Sequence, residues 1–281
     1  MIRRPPRSTQ SRSSAASDVY KRQALTEGIK AMERKAFDYR IHLTTGDEWD
    51  EVAKAFNSTL VSMEELELAK VVHTKLIPSE PVKTETCTFI GKNVNTGQVG
   101  GDYYDAICGA DGSLSFIMGD VTGHGVSAAL VVGMAKAAFQ NLLKSGVRSP
   151  AEILNRMNRL FFEHLGKKKL MSAQAGWVTL DGKLIFSNAG HMYPFLLSKK
   201  SGVVEISQIG LPLGSSTKRL YSAMEIRLSS PSSLVLFTDG IVEQANEKGE
   251  PLGIDGLKKI LEGLLEASPE ELIKSIYDSL K

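Results

Sequence analysis

The chain has 281 residues, 42% of them hydrophobic and 23% charged, with a formal net charge of +2. This composition excludes wholly disordered, collagen-like and disulfide-rich classes, and the length suits one large domain or a medium domain with a smaller attachment. The first 22 residues carry a net charge of +5, so the remainder is mildly acidic at −3 and gives no electrostatic case for nucleic-acid binding. The two cysteines, Cys87 and Cys108, have no Cys or His at metal-ligand spacing beside them, which fits a reducing compartment rather than a zinc site or disulfide framework. No apolar run reaches the ~18 residues of a membrane span.

Residues 1–22 are rich in Arg, Ser and Pro, and lack both a periodic apolar face and the apolar core of a secretory signal. They read as a disordered or non-native tail, and they resemble translated sequencing-adapter DNA. On that reading the protein continues upstream of residue 23.

The spacing predicts a long helix over residues 46–76. Acidic residues at Asp47, Glu48, Asp50 and Glu51 favour its amino end, and Pro78 and Pro81 stop it. Its apolar stripe, Trp49, Phe56, Met63 and Leu66, then drifts to Ala69, Val72 and Leu76, a phase break within a helix that needs a partner. The alternative is a surface helix packed on its own domain. Residues 36–63, including IHLTTGDEWDEVAKAFNSTL, resemble the second half of a HAMP domain. That resemblance implies a partial HAMP domain over 23–63, a linker helix and connector over 64–82, and a parallel homodimer through residues 46–76. It also implies a missing upstream transmembrane helix, with the rest of the protein on the cytoplasmic side of the membrane.

Beyond Pro81, short β-branched and aromatic runs separated by Gly turns predict strands at 84–90, 103–108 and 114–118. Helices follow at 126–144 and 150–165, then strands near 171–180, 183–187, 193–197, 223–228 and 233–238, and closing helices near 254–266 and 269–280. This order is an α+β layer pattern and does not alternate strictly enough for a Rossmann or TIM arrangement.

Three aspartates stand at the ends of predicted strands beside glycines. They are Asp102 in VGGDYYD, Asp120 in FIMGDVTGHG and Asp239 in LVLFTDGIVE. Glycine allows the sharp turns that let such carboxylates converge, and their hard oxygens suit Mg²⁺ or Mn²⁺. Any one of them alone reads as an ordinary turn residue; three in one domain point to a metal site.

VGGDYYD, GDVTGHG, SNAGH and FTDGIVE, preceded by LELAKVVHTKLIP, resemble in order and spacing the SpoIIE/RsbU branch of the metal-dependent type 2C (PPM) protein phosphatases, over about residues 64–281. The resemblance implies a four-layer α-β-β-α sandwich over 83–281, preceded by a long coiled-coil helix. It implies two Mn²⁺ or Mg²⁺ ions held by Asp102, Asp120, the backbone carbonyl of Val121, and Asp239. The activity implied is hydrolysis of phosphoserine or phosphothreonine by a metal-activated water. The implied substrates are phosphorylated STAS-type anti-anti-sigma factors or similar regulators, served from a membrane-tethered signalling protein. The competing readings are a degenerate phosphatase fold acting as a dimeric interaction module, and hydrolysis of a small phosphorylated metabolite.

Some positions depart from the family pattern. His124 is a candidate general acid, but it follows Asp120 by four residues where the eukaryotic enzymes have two; a turn or helix-cap role competes. Asn188 and His191 read first as fixing a turn between strands, and Asp105 as a neighbour of the site or a solvent group. No Arg lies between residues 41 and 147 to clamp phosphate. Nothing after Asp239 matches the family's Asp-Asp-x-Thr segment, so the domain is expected to be truncated at its C-terminus.

Overall fold

The structure is a computed structural model that describes residues 10–94, 99–246 and 248–280. It divides into two compact units, one up to Ala69 and the other from Lys70 to Lys281.

The first unit holds helix α1 (Gln10–Glu33) and most of α2 (Glu48–Leu76). Residues 10–22 are helical, whereas their composition predicts an unstructured tail. Lys21 is buried and pairs with Asp47. Ile41, Leu43 and Ala53 form a small core on which Ala24, Leu25, Trp49 and Phe56 pack. Asn57 ties the connector to α2, accepting from the Ile41 amide and donating to its carbonyl, both at 2.9 Å. The predicted apolar stripe is therefore partly used within the chain, since Trp49 and Phe56 face this core. The large apolar residues that α2 leaves exposed in this unit are Val52, Val61, Leu66 and Leu68.

The second unit is built on antiparallel sheets. After the two-residue strands β1 (Val82–Lys83) and β2 (Thr88–Phe89) come β3 (Asp102–Cys108), β4 (Leu114–Val121), helix α3 (Val126–Lys144), helix α4 (Pro150–Leu165), β5 (Met171–Val178) and β6 (Lys183–Ala189). Next are β7 (Phe195–Ser198), β8 (Gly202–Glu205), β9 (Met224–Arg227) and β10 (Ser233–Val235). Helices α5 (Asp239–Val242), α6 (Gly253–Glu262) and α7 (Pro269–Asp278) close the fold. One sheet has five strands in the order β3-β4-β5-β6-β9, and another has three, β10-β7-β8.

Side-chain alternation assigns the layers. On β3 and β4, Tyr103, Ile117 and Val121 face α3 and α4 and join Val132, Phe139, Leu154 and Phe161 in the largest core. Ala106, Leu114 and Phe116 face the other way and meet Leu184, Phe186, Leu196, Leu234 and Leu236 between the two sheets. Phe195, Leu197 and Phe237 pack with Leu257, Leu261, Leu272 and Ile276 of α6 and α7 under the smaller sheet. The order helix, sheet, sheet, helix is the predicted α-β-β-α sandwich. Helix α3 is long and apolar enough to cross a membrane by length and composition, but its apolar side is spent on this core.

Local signals set the helix ends. The Ser149 hydroxyl accepts from the Glu152 amide at the start of α4, with Pro150 at the first helical position. Ser268 and Glu271 form a capping box on α7.

Asp105 lies on the helix-facing side of β3, opposite to the face of Asp102, so it is neither a neighbour of the strand-end carboxylates nor a solvent group. It is 3% exposed. Lys136 Nζ and Gln140 Nε2 of α3 donate to its Oδ2 at 2.9 and 3.1 Å, and the Tyr103 hydroxyl donates at 3.2 Å. Breaking a buried ion pair from one side costs about 3–5 kcal/mol, and Lys136 can partly relax toward water, so Asp105→Ala should destabilise the fold by about 2–4 kcal/mol. Equilibrium urea unfolding of the two proteins measures this difference.

Candidate metal centre

The register of β3 against β4 places Asp102 directly opposite Asp120. By the same alternation both lie on the face that carries Ala106 and Phe116, toward the second sheet. Directly opposed residues of an antiparallel pair have Cα atoms about 4.5–5.5 Å apart, so two like charges here repel unless something lies between them.

Asp239 comes from the other sheet. It follows β10 and opens the short helix α5. Stacking of Phe195 on Phe237, with centroids 5.7 Å apart and planes 8° from parallel, anchors the segment just before it. The charge of Asp239 reaches both of the opposed carboxylates. Burial first, then the charges of Asp102 and Asp239, push the Asp120 carboxyl up to about 6, against a smaller opposing effect of the Val121 amide. Burial also raises Asp102, with the nearby Thr238 hydroxyl opposing and the Asp239 charge adding to the rise. Among the described residues none of the three takes part in an ion pair.

Gly101 makes room at this corner. Its carbonyl accepts from the Val121 amide at 3.1 Å. A Cβ on Gly101 would lie 2.3 Å from the Val121 carbonyl oxygen and 2.8 Å from Asp120 Oδ1, so any side chain there would collide with two of the candidate ligand positions.

Histidine His191 joins the group. The Asn188 side chain accepts from the His191 amide at 2.9 Å and donates to its carbonyl at 3.0 Å, so this pair does fix the turn after β6. The ring also matters: Nδ1 lies 2.8 Å from the Ser172 hydroxyl, which sits opposite Asp120 on β5. Burial lowers the His191 pKa to about 4, with the Asp239 charge and Phe237 backbone opposing. Among the described residues the fully buried amide of Gln174, two residues along β5 from Ser172 on the same face, has no hydrogen-bond partner, and the Phe237 backbone lies near His191 Nε2. On the helix α2 side, His73 is buried beside the Asp102 backbone; burial lowers its pKa and that backbone opposes the shift.

His124 is not brought in. It is exposed in the loop before α3 and makes no hydrogen bond or ion pair to a described residue. Sequence reasoning also passed over Ser172, Thr238 and His73. Thr238 and His73 lie inside the stretches FTDGIVE and LELAKVVHTKLIP and Ser172 in neither, but only strand register or burial shows that they approach the carboxylates.

The residues present fit Mg²⁺ or Mn²⁺. Among the described residues no three His, Cys, Asp or Glu side chains converge tightly enough to hold an ion by themselves. Such ions need less than that, because Mg²⁺ keeps several waters and is usually held through one or two carboxylates. Opposed carboxylates with no cationic partner among the described residues, a corner cleared by Gly101, and the polar groups of Gln174, Ser172 and His191 on the neighbouring strands make a polar space suited to a hydrated hard cation.

Comparison with known proteins agrees with this architecture. The family profile of Stage II sporulation protein E (SpoIIE) matches residues 110–281. Phosphoserine phosphatase RsbU of Bacillus subtilis (strain 168) is 29% identical over 218 residues, covering 77% of this chain and 64% of RsbU, so the chain spans just under two thirds of that relative. Two solved structures share the fold. The SiaA-PP2C domain of Pseudomonas aeruginosa has a TM-score of 0.66 at 22% identity, covering 79% of this chain and 90% of that one. The PP2C phosphatase domain with a regulatory fragment of SpoIIE from Bacillus subtilis has a TM-score of 0.57 at 19% identity, covering 66% and 54%. With that profile spanning more than half of its residues and the PP2C fold beneath it, the chain belongs to the SpoIIE family.

Proposed function

We propose that this chain is a metal-dependent phosphoprotein phosphatase that hydrolyses phosphoserine or phosphothreonine. The observation that carries the reading is the opposition of Asp102 and Asp120 across β3 and β4, with the Asp239 charge acting on both and no ion-pair partner for any of the three among the described residues. The name of the relative RsbU, a phosphoserine phosphatase, supports it. In this reading Asp102, Asp120, Asp239 and the Val121 carbonyl hold two Mg²⁺ or Mn²⁺ ions. When bound, such ions supply an acidified water and Lewis-acid stabilisation of a phosphoryl group. The protein's own part is to aim the oxygens and to clear the corner at Gly101. His124 stays in the proposal as the general acid toward a leaving serine or threonine oxygen on the strength of its place in GDVTGHG alone, since it lies exposed in the loop before α3 with no hydrogen bond or ion pair to a described residue that draws it to the carboxylates.

The finer parts of the proposal rest on the resemblances. The substrate is a phosphorylated STAS-type regulator or a similar partner-switching protein. Residues 23–63 are a partial HAMP domain and 64–82 a linker to the phosphatase domain at 83–281. The full-length protein is tethered to the cytoplasmic side of the membrane through an upstream helix. The chain dimerises in parallel through residues 46–76, with exposed Val61 and Leu68, one heptad apart, in the seam.

Phosphate release from a phosphoserine protein should require Mn²⁺ or Mg²⁺ and stop in chelator. Asp120→Ala should lower it by at least about a hundredfold, since a ligand is lost and the remaining carboxylates repel. Full activity in chelator, or in the variant, overturns the mechanism. The chelated protein gives a second test. A carboxyl raised to about 6 when folded keeps its proton more tightly folded than unfolded, so stability is fully present below pH 4 and falls as pH rises toward 6. Thermal melts in chelator should show that fall in this window, and Asp120→Asn should flatten it. For the dimer, Val61→Glu with Leu68→Glu should give monomers by light scattering; an unchanged mass removes this seam.

A further inference from the structure

Family resemblance leaves this site without a phosphate-binding arginine near the first motif, and no Arg occurs between residues 41 and 147. The structure places a different cation beside it. The connection from α4 to β5 carries Lys167, Lys168 and Lys169. It is stitched to the loop that leaves Asp120: the Thr122 amide donates to the Leu170 carbonyl at 2.9 Å, and the Leu170 amide donates to the Thr122 hydroxyl at 3.1 Å. From this base Lys169 folds over the loop and its Nζ donates to the Thr122 carbonyl at 2.8 Å.

Three features make this ammonium more than a surface charge. First, its position: Thr122 is two residues from Asp120 and next to Val121, so the charge sits within roughly 10 Å of the Asp120 backbone by chain geometry alone. Second, Gly123 makes room for it. That residue has φ +81°, and a Cβ there would lie 3.0 Å from Lys169 Nζ. Third, its bonding is unfinished. An ammonium has three donors, one is taken by a neutral carbonyl, and among the described residues no carboxylate pairs with Lys169. Among the described residues, then, neither Lys169 nor Asp120, two residues before the Thr122 that holds it, has an ion-pair partner. The same loop runs on to the amino end of α3, whose N-cap, Gly125, offers no side-chain acceptor, so the positive end of that helix dipole adds to the field.

We propose that Lys169 is a substrate-binding residue of this site, the cation that takes a phosphoryl oxygen of the phosphoester and of the phosphate product. The inference rests on the phosphatase reading above and gives that site a charge its motifs lack. A lysine suits the task as a point charge on a flexible stem, able to keep Thr122 in the resting state and turn a free donor to an incoming anion.

The test uses the full chain with Mn²⁺. Lys169→Ala, Lys169→Gln and Lys169→Arg are compared with Lys168→Ala, the exposed neighbour. Measured are KM and kcat on a phosphoserine peptide, the inhibition constant of inorganic phosphate, Mn²⁺ affinity by calorimetry, and the melting temperature. Loss of one charge-assisted hydrogen bond made equally to substrate and product should raise KM and the phosphate inhibition constant together, by about tenfold or more, with kcat changed by less than about threefold. Mn²⁺ affinity and melting temperature should hold, Lys169→Arg should recover most of the loss, and Lys168→Ala should match the parent. Unchanged KM and phosphate inhibition in Lys169→Ala overturn the proposal. Equal losses in Ala and Arg variants with a lowered melting temperature also overturn it, because they describe a structural tether to Thr122. Absence of Mn²⁺-dependent hydrolysis in the parent would instead sink the phosphatase reading. Phosphate binding to the Mn²⁺-loaded protein, followed by ³¹P NMR, then still decides on Lys169 by whether the Ala variant binds more weakly than the parent.

Discussion

The pairing of β3 with β4 is the constraint on which the rest of the site depends. One residue of slip in that ladder would turn Asp102 or Asp120 to the helix side, where Tyr103, Ile117 and Val121 now fill the core. The register is held by those apolar residues, so the core that stabilises the fold is also what forces two carboxylates into opposition. That opposition is unfavourable in itself. The fold tolerates it because the strands continue for six more paired positions into well-packed interior, and because the strand ends reach partly solvated space. A site of this kind carries its own demand for positive charge.

The third carboxylate shows how the layers cooperate. Asp102 and Asp120 belong to the five-stranded sheet, whereas Asp239 follows a strand of the three-stranded one. The effect of the Asp239 charge on Asp102 and Asp120 requires the two sheets to meet at a fixed spacing. That spacing is set by Phe116, Leu184 and Phe186 against Leu196, Leu234 and Leu236, side chains that never touch a ligand. Close packing in this layer transmits directly to the site, since interiors deform little before they lose contacts.

Much of this was legible in the amino-acid order, and the failures have physical causes. Long strands and helices with one buried face were recovered almost to the residue, as for α3 and α4, because periodicity reports burial. The run at 84–90 reads as one strand, yet the structure has only the two-residue β2 there, paired with β1 just before the run. The Thr84 hydroxyl accepts from the Thr86 and Cys87 amides and bends the chain, a local competition that alternation does not register. Strand β8 was missed for a similar reason: the Ser198 and Ser201 hydroxyls close a tight turn within a stretch that reads as a polar loop. Helix α1 was passed over because Arg, Ser and Ala present no apolar stripe; its packing depends on Ala24, Leu25 and Ala31, and on the pair of Lys21 with Asp47.

The site divides along the same line. Asp102, Asp120 and Asp239 stand out in the sequence because each lies where an apolar run ends against glycine, a pattern with a mechanical meaning. Ser172, Gln174 and His191 reach the same space only through register, since strand alternation puts Ser172 and Gln174 on the face of their partners Asp120 and Met118. Lys169 is the extreme case. Nothing in three consecutive lysines distinguishes the third, and the cue lies in another part of the chain: a glycine at position 123, with φ +81°, where a Cβ would stand 3.0 Å from the ammonium. Charge at this site is therefore supplied from two directions. Acid groups are pinned by core register and cannot move apart, while the lysine hangs on a flexible stem from an adjacent loop. That division suits the proposed phosphatase, which would hold hard cations rigidly and still let a phosphorylated chain enter and leave.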